Sequence, residues 1–181
     1  MNAVALLEKY FHDPYAFRII LEHSRMVAAK ALQTARNLEE MGLDLNFLEE
    51  AAMLHDIGVC RTAAPKFHCH GIEPYIRHGI IGKEILEAEG FPRHALVCER
   101  HIGVGLSVAD IRSQRLPLPE KDMTPQTLEE KIVCFADLFY SKSPEKSGKE
   151  KSIDKVKTGL EIFGEHKVMI FEGWLKDFKF L

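Results

Sequence analysis

Residues 51–58 read Ala-Ala-Met-Leu-His-Asp-Ile-Gly, a stretch that places a histidine and an aspartate at the end of an apolar helix. Four apolar residues in succession indicate that the turn containing them is buried. An aspartate is almost never fully buried without a partner, because its charge is strongly destabilised in a medium of low dielectric constant. We therefore expect a cation close to Asp56.

Three more histidines and a second aspartate lie on the apolar sides of other predicted helices. His23 falls between two apolar residues of one helix, and Asp137 lies inside the apolar run 132–139 of another. Packing explains each residue alone, but it does not explain why polar residues on several helices all face the core. Helices of a bundle can direct such side chains to one metal centre. The six candidate ligands are His23, His55, Asp56, His78, His101 and Asp137.

Apolar residues recur at intervals of three or four along most of the chain, which predicts an all-α domain. We expect N-caps at Asn46 and Thr124, an irregular excursion over 112–122 and a mobile loop over 141–151. No alternating run is long enough to indicate a strand. The expected helices span about 17–41, 46–58, 78–90, 92–101 and 124–140, with one or two more within 152–179.

The composition indicates a single globular domain, because 46% of the 181 residues are hydrophobic and 28% are charged. We assign residues 1–181 to one domain, with a core at about 15–145 and a C-terminal helical extension at about 152–179. The formal net charge of −3 offers no attraction to a nucleic acid polymer or an anionic membrane, so we expect neither partner. Four cysteines without a C-x-x-C pair, and no apolar run of ~18 residues, predict a cytoplasmic protein.

The ordered set of ligands resembles the HD-domain superfamily of metal-dependent phosphohydrolases, and within it the small single-domain HDIG type. The stretches that carry the resemblance are residues 51–58, 77–86, 99–103 and 135–137. The resemblance as a whole covers about residues 15–145. The resemblance implies an HD-domain helical bundle with the metal site at its centre.

The resemblance also implies two divalent transition metal ions. The first ion would be held by His23, His55, Asp56 and Asp137, and the second by His78 and His101, with Asp56 bridging the two as the catalytic residue. Two neighbouring ions generate a hydroxide nucleophile near neutral pH and neutralise charge on a phosphoryl group. Imidazole and carboxylate ligands suit Fe, Mn, Zn or Co. The expected substrate is a small phosphorylated molecule, an ester or an anhydride, and a nucleotide fits this class.

Cationic side chains near the ligands in sequence are candidates for binding the phosphate, and they are Arg61, Lys83 and Lys142. Many HD phosphohydrolases have a lysine where this chain has Val59, so one usual phosphate contact is absent. His68 and His70 flank Cys69, and we expect one of them to cover the metal pocket rather than to form a separate metal site. Aromatic residues of the C-terminal helices are expected in the core or in a homodimer contact.

Two alternative functions stay open. The same six ligands also resemble the mixed-valent di-iron oxygenases of the HD superfamily, and the ligands do not separate an oxygenase from a hydrolase. A non-catalytic HD sensor is the third interpretation. It ranks last because degenerate HD domains usually lose ligands, and all six are present here.

Overall fold

A computed structural model describes residues 1–143 and 148–180 of the chain. The first five helices along the chain include the long second one. They are α1 (Ala3–Tyr10), α2 (Pro14–Arg36), α3 (Leu45–Leu54), α4 (His78–Ala88) and α5 (Pro92–Arg100). The remaining helices of the described part are α6 (Val108–Ser113), α7 (Leu128–Leu138), α8 (Ile153–Glu161) and α9 (Glu165–Asp177).

The prediction of an all-α fold is confirmed. The strands in the described residues are β1 (Ala63–Ala64) and β2 (Cys69–His70), which pair antiparallel around the 3₁₀ turn Pro65–Phe67. Two residues per strand are too few to produce a recognisable alternating pattern, which is why neither strand is predicted from the sequence. The hairpin connects α3 to α4 and lies against α2.

The apolar stripe of α2 forms the centre of the core. Ile20, Val27 and Ala31 are fully buried, as their spacing predicts, and α2 packs against both α3 and α7. The helices α4 and α5 form a second packed pair. Phe171 and Phe178 of the C-terminal segment are buried against Phe135 of α7, so this segment shares the same core.

Several predicted helix boundaries are wrong, and the capping residues explain why. The side chain of Asp44, not that of Asn46, accepts a hydrogen bond from the Phe47 amide and starts α3. Thr127, not Thr124, caps α7, because Met123 and Leu106 exchange two backbone hydrogen bonds that keep the chain extended at that point. The helix expected over 46–58 ends at 54, and a 3₁₀ turn follows over Ile57–Arg61.

The structure also differs from the predicted bounds of the long helix, and it describes only part of the predicted loop over 141–151. The long helix begins at Pro14, capped by Asp13, and ends at Arg36, five residues before the predicted end. Residues 144–147 of the expected mobile loop lie outside the described residues. Close to them, Lys151 donates from its backbone amide to the carbonyl of residue 139 and from its ammonium to the carbonyl of residue 138. Within residues 1–143 and 148–180, no helix is both long and apolar enough to cross a membrane.

Candidate metal centre

The six candidate ligands come together where several helices begin or end. Five of them are fully or almost fully buried, and the side chain of Asp137 is 17% exposed. The sixth residue therefore marks the side from which the centre can be reached. His23 lies in α2, His55 and Asp56 follow α3, His78 begins α4, His101 follows α5, and Asp137 lies in the last turn of α7.

Glycines allow the backbones that carry these ligands to approach closely. A Cβ atom on Gly58 would lie 2.0 Å from the carbonyl oxygen of His78 and 2.4 Å from the amide nitrogen of Gly82. A Cβ atom on Gly79 would lie 2.7 Å from the carbonyl oxygen of Cys98 on α5. Contacts this short are sterically forbidden to any other residue, so these glycines set the distance between Asp56, α4 and α5.

The first group of ligands gathers around one oxygen of Asp56. His23 Nε2 lies 3.3 Å and His55 Nε2 lies 3.0 Å from Asp56 Oδ2. The same two nitrogens lie 3.0 Å and 3.5 Å from Oδ1 of Asp137. Donor atoms of all four residues lie within 4.8 Å of one another, a spacing that one metal ion can span.

The second group uses the other oxygen of the same carboxylate. His78 Nε2 and His101 Nε2 each lie 3.5 Å from Asp56 Oδ1. Asp56 thus presents Oδ2 to one set of ligands and Oδ1 to another.

Three of the histidines are held in one tautomer by the backbone. Nδ1 of His55, His78 and His101 lies 2.6, 2.7 and 2.8 Å from the carbonyl oxygen of the residue three positions earlier. An imidazole that donates from Nδ1 keeps the lone pair of Nε2 free. The backbone therefore points three Nε2 atoms at the centre, as hydrogen bonds to the outer nitrogen of a ligand histidine do in known metal sites.

The buried polar atoms of the centre fit a metal. Both ring nitrogens of His23, Nε2 of His55 and Oδ1 of Asp56 are buried without a hydrogen bond. Buried polar groups are normally satisfied, and leaving several unsatisfied together is costly. Nitrogen and oxygen donors converging on a closed space are what a divalent transition metal requires, so the residues fit the metals that the sequence implies.

Charges within the cluster shift the pKa values of its members. Burial lowers the pKa of His55, but the charges of Asp56 and Asp137 outweigh this effect and raise it to about 10. Burial raises the pKa of Asp56, but His55 and Lys142 hold it well below its usual range. The carboxylates thus favour a proton on Nε2 of His55. A metal ion would take the place of that proton, so metal binding is coupled to proton release.

Lys142 is the one predicted phosphate-binding residue that the structure brings to the centre. Its Nζ atom lies 2.7 Å from Oδ2 of Asp56, and its side chain is 11% exposed. Burial lowers the pKa of Lys142, but the charges of Asp56, Tyr75 and Asp137 hold it well above its usual range. A permanent positive charge therefore lies beside the Asp56 carboxylate.

The other predicted substrate residues lie elsewhere. Arg61, His68 and His70 are exposed and line a separate cleft of about 600 Å³, whose lining includes none of the six ligands. His68 stacks on Tyr15, with ring centroids 5.2 Å apart. Lys83 forms ion pairs with Glu99, at 3.0 Å, and with Glu87, at 3.8 Å. The expectations of a histidine lid and of phosphate contacts from Arg61 and Lys83 therefore have no support in the geometry.

Tyr75 is a residue of the centre that the sequence reasoning missed. Its ring stacks on His78 at a centroid distance of 4.8 Å, and its carbonyl oxygen faces Nδ1 of the same histidine. Burial raises the pKa of Tyr75 to about 12, against the lowering effect of the Lys142 charge. The sequence did contain a signal for it, since Tyr75 lies three residues before a candidate histidine ligand, as Ala52 and Cys98 do.

Comparison with known proteins places most of the chain in one family of sequences. The model of the HD domain family matches residues 20–141. An uncharacterized protein of Methanocaldococcus jannaschii is 38% identical over 141 residues, which are 75% of this chain and 76% of that protein.

Two archaeal relatives are considerably longer than this chain. A tRNA (cytidine(56)-2'-O)-methyltransferase of Thermoplasma volcanium is 30% identical over 137 residues, which are 75% of this chain and 35% of that protein. The enzyme of the same name from Picrophilus torridus is 34% identical over 124 residues, which are 68% of this chain and 32% of that protein. The match therefore spans about a third of each methyltransferase.

The fold has a solved counterpart. The crystal structure of the HD domain of the L. monocytogenes phosphodiesterase PgpH superposes with a TM-score of 0.55, at 17% sequence identity. The superposition covers 96% of this chain and 95% of that domain, so it includes helices beyond the 20–141 match. At this identity the likeness concerns the fold.

Proposed function

Because the chain belongs to the HD-domain family, we propose that it is a metal-dependent phosphohydrolase that acts on a small phosphate ester or anhydride. The observation that carries the proposal is the position of Asp56. Its two carboxylate oxygens face two different groups of ligands, with His23 and His55 on one side and His78 and His101 on the other. Such a carboxylate can hold two ions side by side.

The ligand sets assign the residues that would hold each ion. His23, His55, Asp56 and Asp137 would hold the first, and Asp56, His78 and His101 the second. When bound, two such ions lower the pKa of a water molecule towards neutrality and neutralise the charge that develops on a phosphoryl group. Fe, Mn, Zn and Co all suit this set of nitrogen and oxygen donors.

We assign to Lys142 the binding of a phosphate oxygen. In the structure its ammonium neutralises Asp56 at 2.7 Å. A metal ion on the same carboxylate would repel the ammonium, and the flexible lysine side chain can then turn towards the partly exposed side marked by Asp137. There it would meet the substrate phosphate and hold it in position.

A nucleotide is the substrate that the relatives support. The chain matches about a third of two proteins named as tRNA methyltransferases. A sequence related to this chain therefore forms part of proteins named for the modification of a nucleic acid. The net charge of −3 provides no general attraction to a polynucleotide. We therefore propose a mononucleotide or a comparably small phosphate compound rather than tRNA itself.

The proposal is tested by a phosphatase screen of the Mn- or Co-loaded protein under anaerobic conditions, with nucleotides and simple phosphate esters. We expect hydrolysis without oxygen, and its loss by more than about 100-fold in Asp56→Ala, since even the loss of a residue that only orients a metal ligand costs about 10–100-fold. Asp177→Ala, on an exposed aspartate at the end of α9, is the matched control. Turnover that requires iron and oxygen would instead support the oxygenase, and no turnover under either condition would support a sensor.

A further inference from the structure

A cavity of about 370 Å³ lies between the segment 102–106, the end of α7 and the helix α8, and its lining includes none of the six candidate ligands. Three of its lining residues are close neighbours of ligands in the chain. Ile102 follows His101, Leu138 follows Asp137, and Ile76 precedes His78 by two residues. The cavity and the metal centre therefore lie at the same ends of the same helices.

One wall of this cavity comes from outside the family match. The HD domain model matches residues 20–141, whereas α8 spans Ile153–Glu161. Lys151 fixes the start of this wall, because its ammonium donates a hydrogen bond of 2.9 Å to the Leu138 carbonyl at the end of α7. The C-terminal segment thus adds a surface to the HD domain, although it contributes none of the six candidate ligands.

The chemistry of the cavity suits an apolar group attached to an anion. Phe163 is 53% exposed, whereas Val104, Leu106, Val156 and Leu160 of the lining are buried. Lys155 also lines the cavity, and within the described residues its ammonium has no hydrogen bond or ion pair. The apolar part of the lining includes Ile102, Val104, Leu106, Val156, Leu160 and Phe163.

We propose that this cavity binds the aromatic group of the phosphorylated substrate, a group of the size of a nucleobase, while the phosphate lies at the metal centre. Ligand cavities of ~300–1,000 Å³ with apolar walls and a few polar groups are typical of small-molecule sites, and this cavity lies within that range. Lys155 would offset negative charge that remains outside the metal centre. The inference rests on the proposed hydrolase function and specifies its substrate class.

Two glycines allow a matched test. Gly159 lines the cavity on α8, and a Cβ atom there would meet nothing within 4 Å, so Gly159→Phe projects a ring into the cavity without a backbone clash. Gly173 on α9 is equally unobstructed and does not line the cavity, which makes Gly173→Phe the control. Both changes replace a helical glycine, so their effects on helix propensity are comparable.

The first measurement is the binding of 1-naphthylmethylphosphonate, which has no phosphate ester bond to hydrolyse, to the metal-loaded protein, monitored by naphthyl fluorescence. We expect the unchanged protein and Gly173→Phe to bind this probe, and Gly159→Phe to bind it at least ten times more weakly. The second measurement is hydrolysis by the metal-loaded protein. Gly159→Phe should raise KM about tenfold for 1-naphthyl phosphate and leave KM for ethyl phosphate unchanged.

The two measurements separate the two proposals. Equal binding by all three proteins, or no binding by the unchanged protein, would overturn the cavity assignment even if every protein hydrolyses both esters. Binding that only Gly159→Phe loses, in a protein that hydrolyses neither ester, would support the cavity and reject the hydrolase. An equal rise of KM for both esters would overturn the assignment of the cavity to the aromatic group.

Discussion

The Nε2 atoms of His78 and His101 lie 3.1 Å apart, although the Nδ1 atom of each ring already faces a backbone carbonyl. In that tautomer both Nε2 atoms carry lone pairs, which repel each other unless a proton or a cation lies between them. Burial and the neighbouring His101 lower the pKa of His78 to about 3, so a proton is disfavoured. A metal ion satisfies both nitrogens, since two ligands at ~2.0–2.1 Å from one ion are separated by about this distance.

Replacement of Lys142 should weaken substrate binding and leave the metal in place. Lys142→Met removes the charge beside Asp56 and keeps most of the side-chain volume, and we expect KM for a phosphate ester to rise about 10-fold or more, which corresponds to one lost charge-assisted hydrogen bond. Steady-state kinetics with metal analysis of the same sample measures both effects. Lys176→Met, on an exposed lysine of α9, is the control. Loss of metal in Lys142→Met would show that the lysine supports the ligands instead.

A methyl group on Gly58 should disturb the junction between Asp56 and α4. The added Cβ atom would lie 2.0 Å from the His78 carbonyl oxygen. The backbone would have to move to relieve this clash. Overpacking of this kind costs about 1–3 kcal/mol or more. We expect Gly58→Ala to lower the free energy of unfolding by at least that amount in urea titrations. Gly173→Ala, which meets nothing within 4 Å, should be neutral or slightly stabilising.

Chelation should lower the melting temperature, because the metal binds the folded arrangement of ligands and not the unfolded chain. Saturation at about 100 times Kd contributes about 2.7 kcal/mol, and for a chain of this length that corresponds to a shift of about 5–10 °C. Differential scanning calorimetry before and after treatment with a chelator measures the shift. Asp56→Ala should show almost no shift, and a shift of the same size in that variant would place the stabilising metal elsewhere.

The ion pair between Asp110 and Lys167 predicts a pH-dependent stability. Lys167 Nζ lies 2.6 Å from Asp110 Oδ2, and both side chains are buried. Burial raises the pKa of Asp110, but hydrogen bonds from Lys167 and Ser107 outweigh this effect and lower the pKa from 3.8 to about 2. The pair therefore contributes about 2 kcal/mol above pH ~4, and this contribution is lost as the pH falls towards ~2.

Asp110→Asn tests this contribution. The variant should be less stable than the unchanged protein by about 2 kcal/mol at pH 7, and the difference should shrink between pH ~4 and pH ~2. Urea unfolding of the chelated proteins at several pH values gives the difference without interference from metal binding. Asp177→Asn serves as the exposed control. A difference that does not change with pH would mean that Asp110 acts through packing rather than through its charge.

The sequence was sufficient to predict which histidines and aspartates cluster in the core, because their burial contradicts their polarity. Asp56 closes a helix whose preceding turn is apolar, and that conflict alone requires a cation. The helical class followed in the same way from the spacing of apolar residues such as Ile20 and Val27, which are fully buried. Both inferences depend on the pattern of apolar and polar residues within one or two turns of a helix.

Residues whose role depends on contacts distant in sequence were beyond such reasoning. Lys83 and Lys142 are equally close to a ligand in the sequence, yet Lys83 pairs with Glu99 and Lys142 with Asp56. Distance along the chain cannot show which way a long side chain turns. The N-cap of α7 illustrates the same limit, since Thr124 and Thr127 are both suitable residues and the backbone pairing of residues 106 and 123 decides between them.

The number of metal ions per chain tests the central claim most directly, and inductively coupled plasma mass spectrometry of the purified protein measures it. We predict about two ions per chain, and about one in His101→Ala, because that change removes a ligand of the second group only. His94→Ala, which removes a histidine packed between Phe47 and Phe91, should retain both ions. One ion per chain in the unchanged protein, with no loss in His101→Ala, would contradict the assignment of Asp56 as a bridge between two metals.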